Sequence, residues 1–120
     1  MRPERVPALL DQLVWTARNA ASFVQDMTLR EFLADFRTQQ AVTMSVVVIS
    51  ELLSRIVEED PTMRTRYPDI AWDPIRGLRN RIVHDYFTIN PEMMFNTASK
   101  GVPDLLRALE SYALADPSTP

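Results

Sequence analysis

One block in the second half of this 120-residue chain combines side chains that can carry out acid–base and phosphate chemistry. Arg79, His84 and Tyr86 form an R-x-x-x-x-H-x-Y pattern, and His84 is the only histidine of the chain. An imidazole titrates near neutral pH, and a guanidinium suits bidentate contacts to phosphate. A phenol follows the histidine by two residues. No other stretch offers comparable chemistry, so this block is the main clue to function.

The charge around this block indicates where an anion would bind. The whole chain has a formal net charge of -3, which argues against non-specific wrapping of nucleic acid by its surface. Between positions 64 and 86, five arginines outnumber three acids: Arg64, Arg66, Arg76, Arg79 and Arg81 against Asp69, Asp73 and Asp85. We therefore expect an anion to bind in this region of the chain. The alternative is that these arginines form only a solvated face.

The composition is that of one soluble domain. The chain is 46% hydrophobic and long enough to bury a core, so we expect one domain over residues 1–115 and a flexible tail over residues 116–120. The absence of cysteine excludes a disulfide scaffold, a thiolate metal site and a cysteine nucleophile. We expect no membrane span, because no apolar run approaches about eighteen residues. These features favour a cytoplasmic protein.

Helical periodicity runs through the whole chain. Apolar residues recur at spacings of three and four, which predicts a first amphipathic helix, a short one, a long one and a last one bent at a proline. The expected bounds are Glu4–Asp26, a short helix opened by a Thr28/Glu31 capping box, Thr38–Glu59, and Pro91–Ala113 bent at Pro103. We therefore predict an all-α fold, an up-and-down helical bundle of four main helices plus short helices.

The chemical block lies on the remaining main helix, which we expect to start with Asp73 as N-cap and Pro74 as its first helical residue. At about 100° per residue, the helix separates an apolar from a polar side. Ile75, Leu78, Ile82 and Tyr86 fall on one side, and Gly77, Asn80, Arg81 and His84 on the other. His84 is therefore expected to point away from the core. The alternative is that His84 lies in the core with its hydrogen bonds satisfied there.

Two residues of this helix, Gly77 and Arg79, are expected to contact a group outside the helix. Gly77 costs the helix roughly 1 kcal/mol relative to alanine, and close approach of another backbone or a ligand is the usual compensation. Arg79 sits about 140° round the helix from His84, so either its side chain curls round or a second copy of the chain supplies the matching group. The alternative is a rim arginine paired to an acid of the long helix, such as Glu51 or Glu58.

These residues together resemble a known family. The stretches Tyr67-Pro68-Asp69-Ile70-Ala71-Trp72, Gly77-Leu78-Arg79-Asn80 and Ile82-Val83-His84-Asp85-Tyr86-Phe87 are similar to the HepT-like toxin group of the HEPN superfamily. The resemblance extends from helix one to Val102-Pro103-Asp104-Leu105. The chain departs from the family pattern at Ala71, where proline is common, and at Ile49-Ser50-Glu51-Leu52, which replaces a glycine-containing stretch. Neither departure touches the motif.

The resemblance implies an all-α homodimer that acts as a metal-independent endoribonuclease toxin on RNA. It implies neutralisation by a cognate nucleotidyltransferase antitoxin of the MNT type. On this basis Arg79 and His84 are the catalytic pair, and Asn80 is the polar residue beside it. We expect Arg81, on the same side of the helix as His84, to be a further supporting residue. Tyr86 is the tyrosine to which the antitoxin attaches AMP. We expect no cofactor, no metal and no membrane partner.

The chemistry of RNA cleavage agrees with this implication. Without a metal, the 2'-hydroxyl attacks the adjacent phosphate, which needs a base, an acid for the leaving 5'-oxygen and positive charge on the phosphorane. Two imidazoles would require His84 of a second subunit, which favours a symmetric dimer. His84 with Asp85 is too small a ligand set for metal hydrolysis. Two alternatives stay open: a non-catalytic HEPN subunit that binds the substrate or partner of a nucleotidyltransferase, and an interaction domain with a structural motif.

Overall fold

The longest helix, α3 (Phe36–Glu59), runs through the middle of the fold, and other helices pack around it. The computed structural model describes residues 3–115, with side chains over residues 4–110. The other helices in that range are α1 (Val6–Phe23), α2 (Leu29–Leu33), α4 (Met63–Arg66), α5 (Trp72–His84), α6 (Pro91–Asn96) and α7 (Val102–Ala115). Two 3-10 turns, Pro3–Arg5 and Tyr86–Thr88, and a π-helical turn, Thr97–Gly101, accompany them. The predicted all-α fold is confirmed.

The predicted four main helices are α1, α3, α5 and the α6–α7 pair. α1 packs against α3 and α7, whereas α5 packs mainly against α3. The buried side chains form two clusters along α3. One cluster joins α1, α7 and the C-terminal half of α3 through residues such as Leu13 and Leu53. The other joins the N-terminal half of α3 to α2, α5 and α6 through residues such as Val46 and Ile82.

Local capping sets several helix ends where the sequence predicts them. The capping box is present: Glu31 N donates to Thr28 Oγ1 at 3.1 Å, and Thr28 N donates to Glu31 Oε1 at 2.9 Å. α3 begins earlier than expected, because the Asp35 carboxylate accepts a backbone N–H of the first turn at 3.0 Å. α6 begins at Pro91 as expected, with Asn90 Oδ1 accepting a first-turn N–H at 2.9 Å.

α3 is an exception to the expectation that no segment has the composition of a membrane span. Within residues 3–115 it is the one helix long and apolar enough to cross a membrane, judged by length and composition. It nevertheless packs against α1 and α5 and contributes to both buried clusters. Such contacts are those of the central helix of a bundle.

The start of α5 differs from the sequence prediction. The helix begins at Trp72, one residue before Asp73, and the Asp73 side chain caps nothing. Trp72 is buried, and its indole Nε1 donates to the Tyr67 carbonyl at 3.0 Å, which ties the preceding loop to the bundle. Asp73 pairs instead with Arg64 and Arg76. Burial of the large indole therefore decides where the helix starts.

The last helix is interrupted near Pro103, as expected, but the interruption is a π-helical turn. The N–H of Val102 donates to the carbonyl of Thr97, five residues earlier. Pro103 has no N–H, so it cannot continue the regular hydrogen-bond ladder at the next position. α7 then resumes and runs to the end of the described residues. The predicted flexible tail, residues 116–120, lies outside them.

Candidate functional site

α5 carries the motif, and hydrogen bonds at both ends hold it antiparallel to α3. The buried hydroxyl of Ser50 lies 2.8 Å from the carbonyl oxygen of Ile75 and 2.9 Å from that of Arg76, and the two oxygens share its single proton. Near the other end, Gln40 Nε2 donates to the Tyr86 hydroxyl at 2.9 Å. These bonds determine which side of α5 faces α3 and which side faces outward.

The roles of Ser50 and Gln40 in positioning the motif were not predicted from the sequence. The one available signal was at Ser50, which lies in the stretch where the family pattern has glycine. A small residue at that position suits close packing of α3 against α5. Gln40 lies 46 positions before Tyr86, and no local pattern connects the two.

Arg79 lies on the flank of α5 that faces α3. Its Nε is 3.2 Å from Glu51 Oε2, so the acid pairing considered as an alternative is present. Its Nη1 donates to Asn80 Oδ1 at 3.4 Å. About half of each side chain in the Arg79–Glu51 pair is exposed, so water screens the pair and its contribution to stability is small. Within residues 3–115, Arg79 Nη2 makes no hydrogen bond, which leaves that edge available to an anion.

His84 is the last residue of α5 and is exposed. The alternative of a core histidine is therefore wrong. In the part of the chain that the structure describes, no hydrogen bond or ion pair joins its imidazole to Arg79. Asn80 lies between the two around the helix. Within one chain, the structure thus brings Glu51, Arg79 and Asn80 together and leaves His84 on the outer side of the helix.

Most of the arginines around the motif are paired with acids. Four of the five form ion pairs: Arg64 and Arg76 with Asp73, Arg66 with Asp60, and Arg79 with Glu51. Arg81 is the exception among residues 3–115, since its Nη2 contacts the sulfur of Met93 at 3.8 Å and no carboxylate. A thioether is a weak acceptor, so the charge of Arg81 is the least compensated of the five.

Among residues 3–115, no other element packs over the outward side of α5 at Gly77. Gly77 is exposed, and a Cβ atom built there would meet nothing within 4 Å. Large apolar side chains are also exposed nearby: Phe36 and Met44 on α3, Val83 on α5, and Phe87 in the 3-10 turn that follows α5. An apolar surface of this kind marks a contact site. The described residues therefore provide no close contact that would compensate for Gly77.

Tyr86 follows α5 in a 3-10 turn, so the helical projection that placed it beside Ile82 does not extend to it. The residue is 43% exposed. The ring meets the ring of Phe87 edge to face, with centroids 5.3 Å apart. The hydroxyl therefore lies at the surface, held by Gln40, two residues beyond His84.

A wider cleft lies elsewhere, between α5 and the α6–α7 pair. It has a volume of about 720 Å³ and includes Ile75, Leu78 and Lys100 among its lining residues. Neither Arg79 nor His84 lines it. In the described range, no group of three or more histidine, cysteine, aspartate or glutamate side chains is placed to hold a metal ion.

An all-α bundle with an exposed R-x-x-x-x-H motif on one helix defines the class of this protein, and comparison with known proteins identifies its family. Residues 14–112 match the family described as "Ribonuclease HepT-like". Since the match covers most of the chain, the chain belongs to the HepT-like ribonuclease family of the HEPN superfamily. The resemblance stated from the motif is confirmed.

Several relatives match over most of their length. One protein of Methanocaldococcus jannaschii, named "Putative RNase", is 32% identical over 110 residues, which cover 92% of this chain and 88% of the relative. A second of the same name and organism is 27% identical, covering 92% of this chain and 98% of the relative. The "Probable ribonuclease HepT" of Thermococcus cleftensis is 25% identical, covering 69% of this chain and 73% of the relative. No solved structure matches the chain significantly.

Proposed function

We propose that this chain is a metal-independent endoribonuclease. In this proposal His84 is the general acid or base, Arg79 binds the scissile phosphate, Asn80 positions Arg79, and Arg81 is a supporting cation. The observation that carries the proposal is the exposure of His84 on a helix whose buried side is formed by other residues. Family membership supports the same activity.

In the proposed reaction, the 2'-oxygen of one ribose forms a bond to the adjacent phosphorus, and the bond from phosphorus to the 5'-oxygen breaks. The products are a 2',3'-cyclic phosphate and a free 5'-hydroxyl. One imidazole accepts the proton of the 2'-hydroxyl, and an imidazolium gives a proton to the 5'-oxygen; each role is typically worth about 10²- to 10⁴-fold. The guanidinium of Arg79 donates to the non-bridging oxygens, where negative charge develops.

The proposed enzyme is a homodimer in which the outward sides of two α5 helices face each other. Each chain supplies one histidine, whereas the reaction uses an acid and a base. Arg79 and His84 also point to different sides of their own helix, so a partner copy is the simplest source of the complementary group. The open surface over Gly77 and the exposed Val83 support close approach of a second chain.

We propose further that the protein is a cytoplasmic toxin, silenced by a cognate MNT-type nucleotidyltransferase. The Tyr86 oxygen would attack the α-phosphorus of ATP, with loss of the phenolic proton and release of pyrophosphate. The exposed hydroxyl two residues beyond His84 supports this role. The attached phosphate would compete for Arg79 and Arg81 and repel the RNA backbone.

Mass spectrometry after coexpression tests the modification. The chain should gain one or more AMP groups, and Tyr86→Phe should remove them, because phenylalanine keeps the ring but lacks the acceptor oxygen. Tyr67→Phe is the matched control and should still be modified. Adenylylation mapped to Tyr67 or Tyr112 would contradict the assignment.

RNA cleavage by the purified protein in the presence of EDTA tests the enzymatic proposal. His84→Ala and Arg79→Ala should each lower the cleavage rate by at least about 100-fold, the lower end of a typical acid–base contribution. Arg18→Ala, which removes an exposed arginine from α1, is the matched control and should retain activity. Equal cleavage by the wild type and by His84→Ala would show that a contaminant or another group cuts the RNA.

The second candidate is a non-catalytic subunit that binds the substrate or partner of a nucleotidyltransferase. The pairing of Arg79 with Glu51, and its separation from His84, favour this alternative. The RNA-cleavage assay also distinguishes the two candidates. A non-catalytic subunit would bind the nucleotidyltransferase but cleave no RNA, even after Glu51→Gln releases Arg79.

A further inference from the structure

A small cleft lies beside the motif, between the start of α3 and the 3-10 turn that follows α5. Its volume is about 240 Å³. Phe36 and Gln40 line it from α3, Tyr86 and Phe87 from the turn, and the buried Met94 from α6. None of the described residues that line it has a charged side chain.

We infer that this cleft binds a nucleobase of the RNA substrate, from a nucleotide next to the scissile phosphate; the inference rests on the proposed ribonuclease activity. A cleft without charged groups gives no countercharge to a phosphate but suits a neutral ring. Its volume is below the roughly 300–1,000 Å³ of clefts that hold a whole small-molecule ligand. A base alone would therefore enter, with its ribose and phosphate outside.

The two exposed phenylalanines supply surfaces on which a base can stack. Phe87 is 96% exposed and Phe36 is 69% exposed, so neither ring contributes much to the core of this chain. The edge-to-face contact with Tyr86 orients the ring of Phe87 at the mouth of the cleft. Proteins that bind single-stranded nucleic acid commonly stack bases on such aromatic rings.

The polar edge of the cleft offers one donor and one acceptor. The Tyr86 hydroxyl accepts a hydrogen bond from Gln40 Nε2, so its own proton remains free to donate. The amide oxygen of Gln40 makes no hydrogen bond within residues 3–115 and can accept one. An adjacent donor and acceptor match the edge of an unpaired base.

The position of the cleft fits a base next to the reacting phosphate. Tyr86 follows His84 by two residues, so their Cα atoms are at most about 7 Å apart. A phosphate held at His84 therefore leaves the neighbouring base within reach of the cleft. Stacking there would also hold the ribose in place for attack by its 2'-oxygen.

Binding of short RNA that cannot be cleaved tests the inference. The probe is an oligonucleotide with 2'-O-methyl groups and a fluorescent label, compared with versions that carry an abasic nucleotide at each position in turn. Phe87→Ala should weaken binding of the intact oligonucleotide about tenfold, because one stacked base is worth roughly 1–3 kcal/mol. Phe87→Trp should retain binding. Trp15→Ala, which removes an exposed aromatic ring from α1, is the matched control and should change nothing.

The decisive measurement combines Phe87→Ala in the protein with an abasic nucleotide in the RNA. One abasic position should weaken binding to the wild type about as much as Phe87→Ala does, and the two losses should not add, because both remove the same contact. The inference would be overturned if the two losses were fully additive. It would also be overturned if an abasic nucleotide weakened binding at no position. Conversion of the dimer to a monomer by Phe87→Ala would overturn it as well, because that result would assign the ring to self-association. Because this RNA is not cut, base-dependent binding without cleavage of ordinary RNA would refute the proposed enzyme while supporting the cleft.

Discussion

The two ends of α5 differ in almost every physical respect. At its start, Trp72 is only 5% exposed, and two carbonyl oxygens of the helix share the proton of the buried Ser50 hydroxyl. At its end, Ile82 is still buried, but His84 is exposed, and Phe87 in the 3-10 turn that follows protrudes into solvent. One end of the helix therefore serves the fold, and the other presents the residues that we assign to chemistry.

This division has a simple consequence for function. A site needs side chains held in a fixed direction, and packing of the buried side of α5 against α3 fixes the direction of the exposed side chains. The exposed end can then carry a histidine, an arginine and apolar side chains that do not stabilise the monomer. Changes at the two ends should accordingly affect different properties.

The largest effect on stability should come from the anchored end. Trp72→Ala removes a buried indole and its hydrogen bond to Tyr67, and should lower the free energy of unfolding by about 3–5 kcal/mol. His84→Ala should change it by less than about 0.5 kcal/mol, because the side chain is exposed. Urea denaturation monitored by circular dichroism measures both values.

The proposed difference between the two ends of α5 is contradicted if His84→Ala destabilises the domain as much as Trp72→Ala does. Such a result would give His84 a structural role and remove the main support for catalysis. If Trp72→Ala does not fold, Trp72→Phe should show a smaller loss in the same direction, since part of the buried ring is retained.

The next effect concerns assembly through the outward side of α5. Gly77→Leu should convert the proposed dimer into a monomer and abolish RNA cleavage, because the added side chain would occupy the contact surface. The folded monomer should not suffer, since leucine favours a helix over glycine by up to about 1 kcal/mol. Light scattering reports the oligomeric state.

Gly101→Ala is the matched control for this substitution. Its Cβ atom would lie 4.0 Å from the Thr97 side chain, an ordinary contact within the chain. It should leave the oligomeric state unchanged. A Gly77→Leu protein that remains dimeric and active would place the dimer interface elsewhere.

A smaller effect is expected where α3 holds α5. Ser50→Ala removes a buried donor and should cost about 1 kcal/mol of stability. Because the bonded carbonyls lie in the turn before Arg79, RNA cleavage should also fall. Ser45→Ala is the control, since the Ser45 hydroxyl bonds only to the Ala41 carbonyl of its own helix, at 2.9 Å. Equal stability and activity of the two variants would show that Ser50 does not position the motif.

The smallest effect should be a pH dependence of the stability contributed by Asp60, which lies in the segment that leads to Trp72. The Thr62 hydroxyl, together with the Arg66 guanidinium, lowers the pKa of the Asp60 carboxyl below its ordinary value. The stabilisation is therefore fully present above the unfolded-state pKa of about 3.9 and is lost as the pH falls through the lower folded-state value. Asp60→Asn should be less stable than the wild type at pH 7, and this difference should shrink in acid. A difference that does not change with pH would contradict this origin.

Local sequence patterns predicted much of this fold. The apolar spacing of three and four identified α1 and α3, and the Thr28/Glu31 pair predicted the cap of α2. The same spacing predicted that His84 points outward, which the structure confirms. These features depend on residues within about one or two helical turns of each other, so the sequence alone contains the necessary information.

Tertiary structure decided what lies beyond that range. Burial of the Trp72 indole moved the start of α5 away from Asp73, although the local capping pattern favoured Asp73. The pairing of Arg79 with Glu51 and the bond from Gln40 to Tyr86 depend on how α3 and α5 lie side by side. The sequence determined which residues face away from the core, because helical periodicity is local. Only the packing of two helices distant in sequence determined which of those side chains meet.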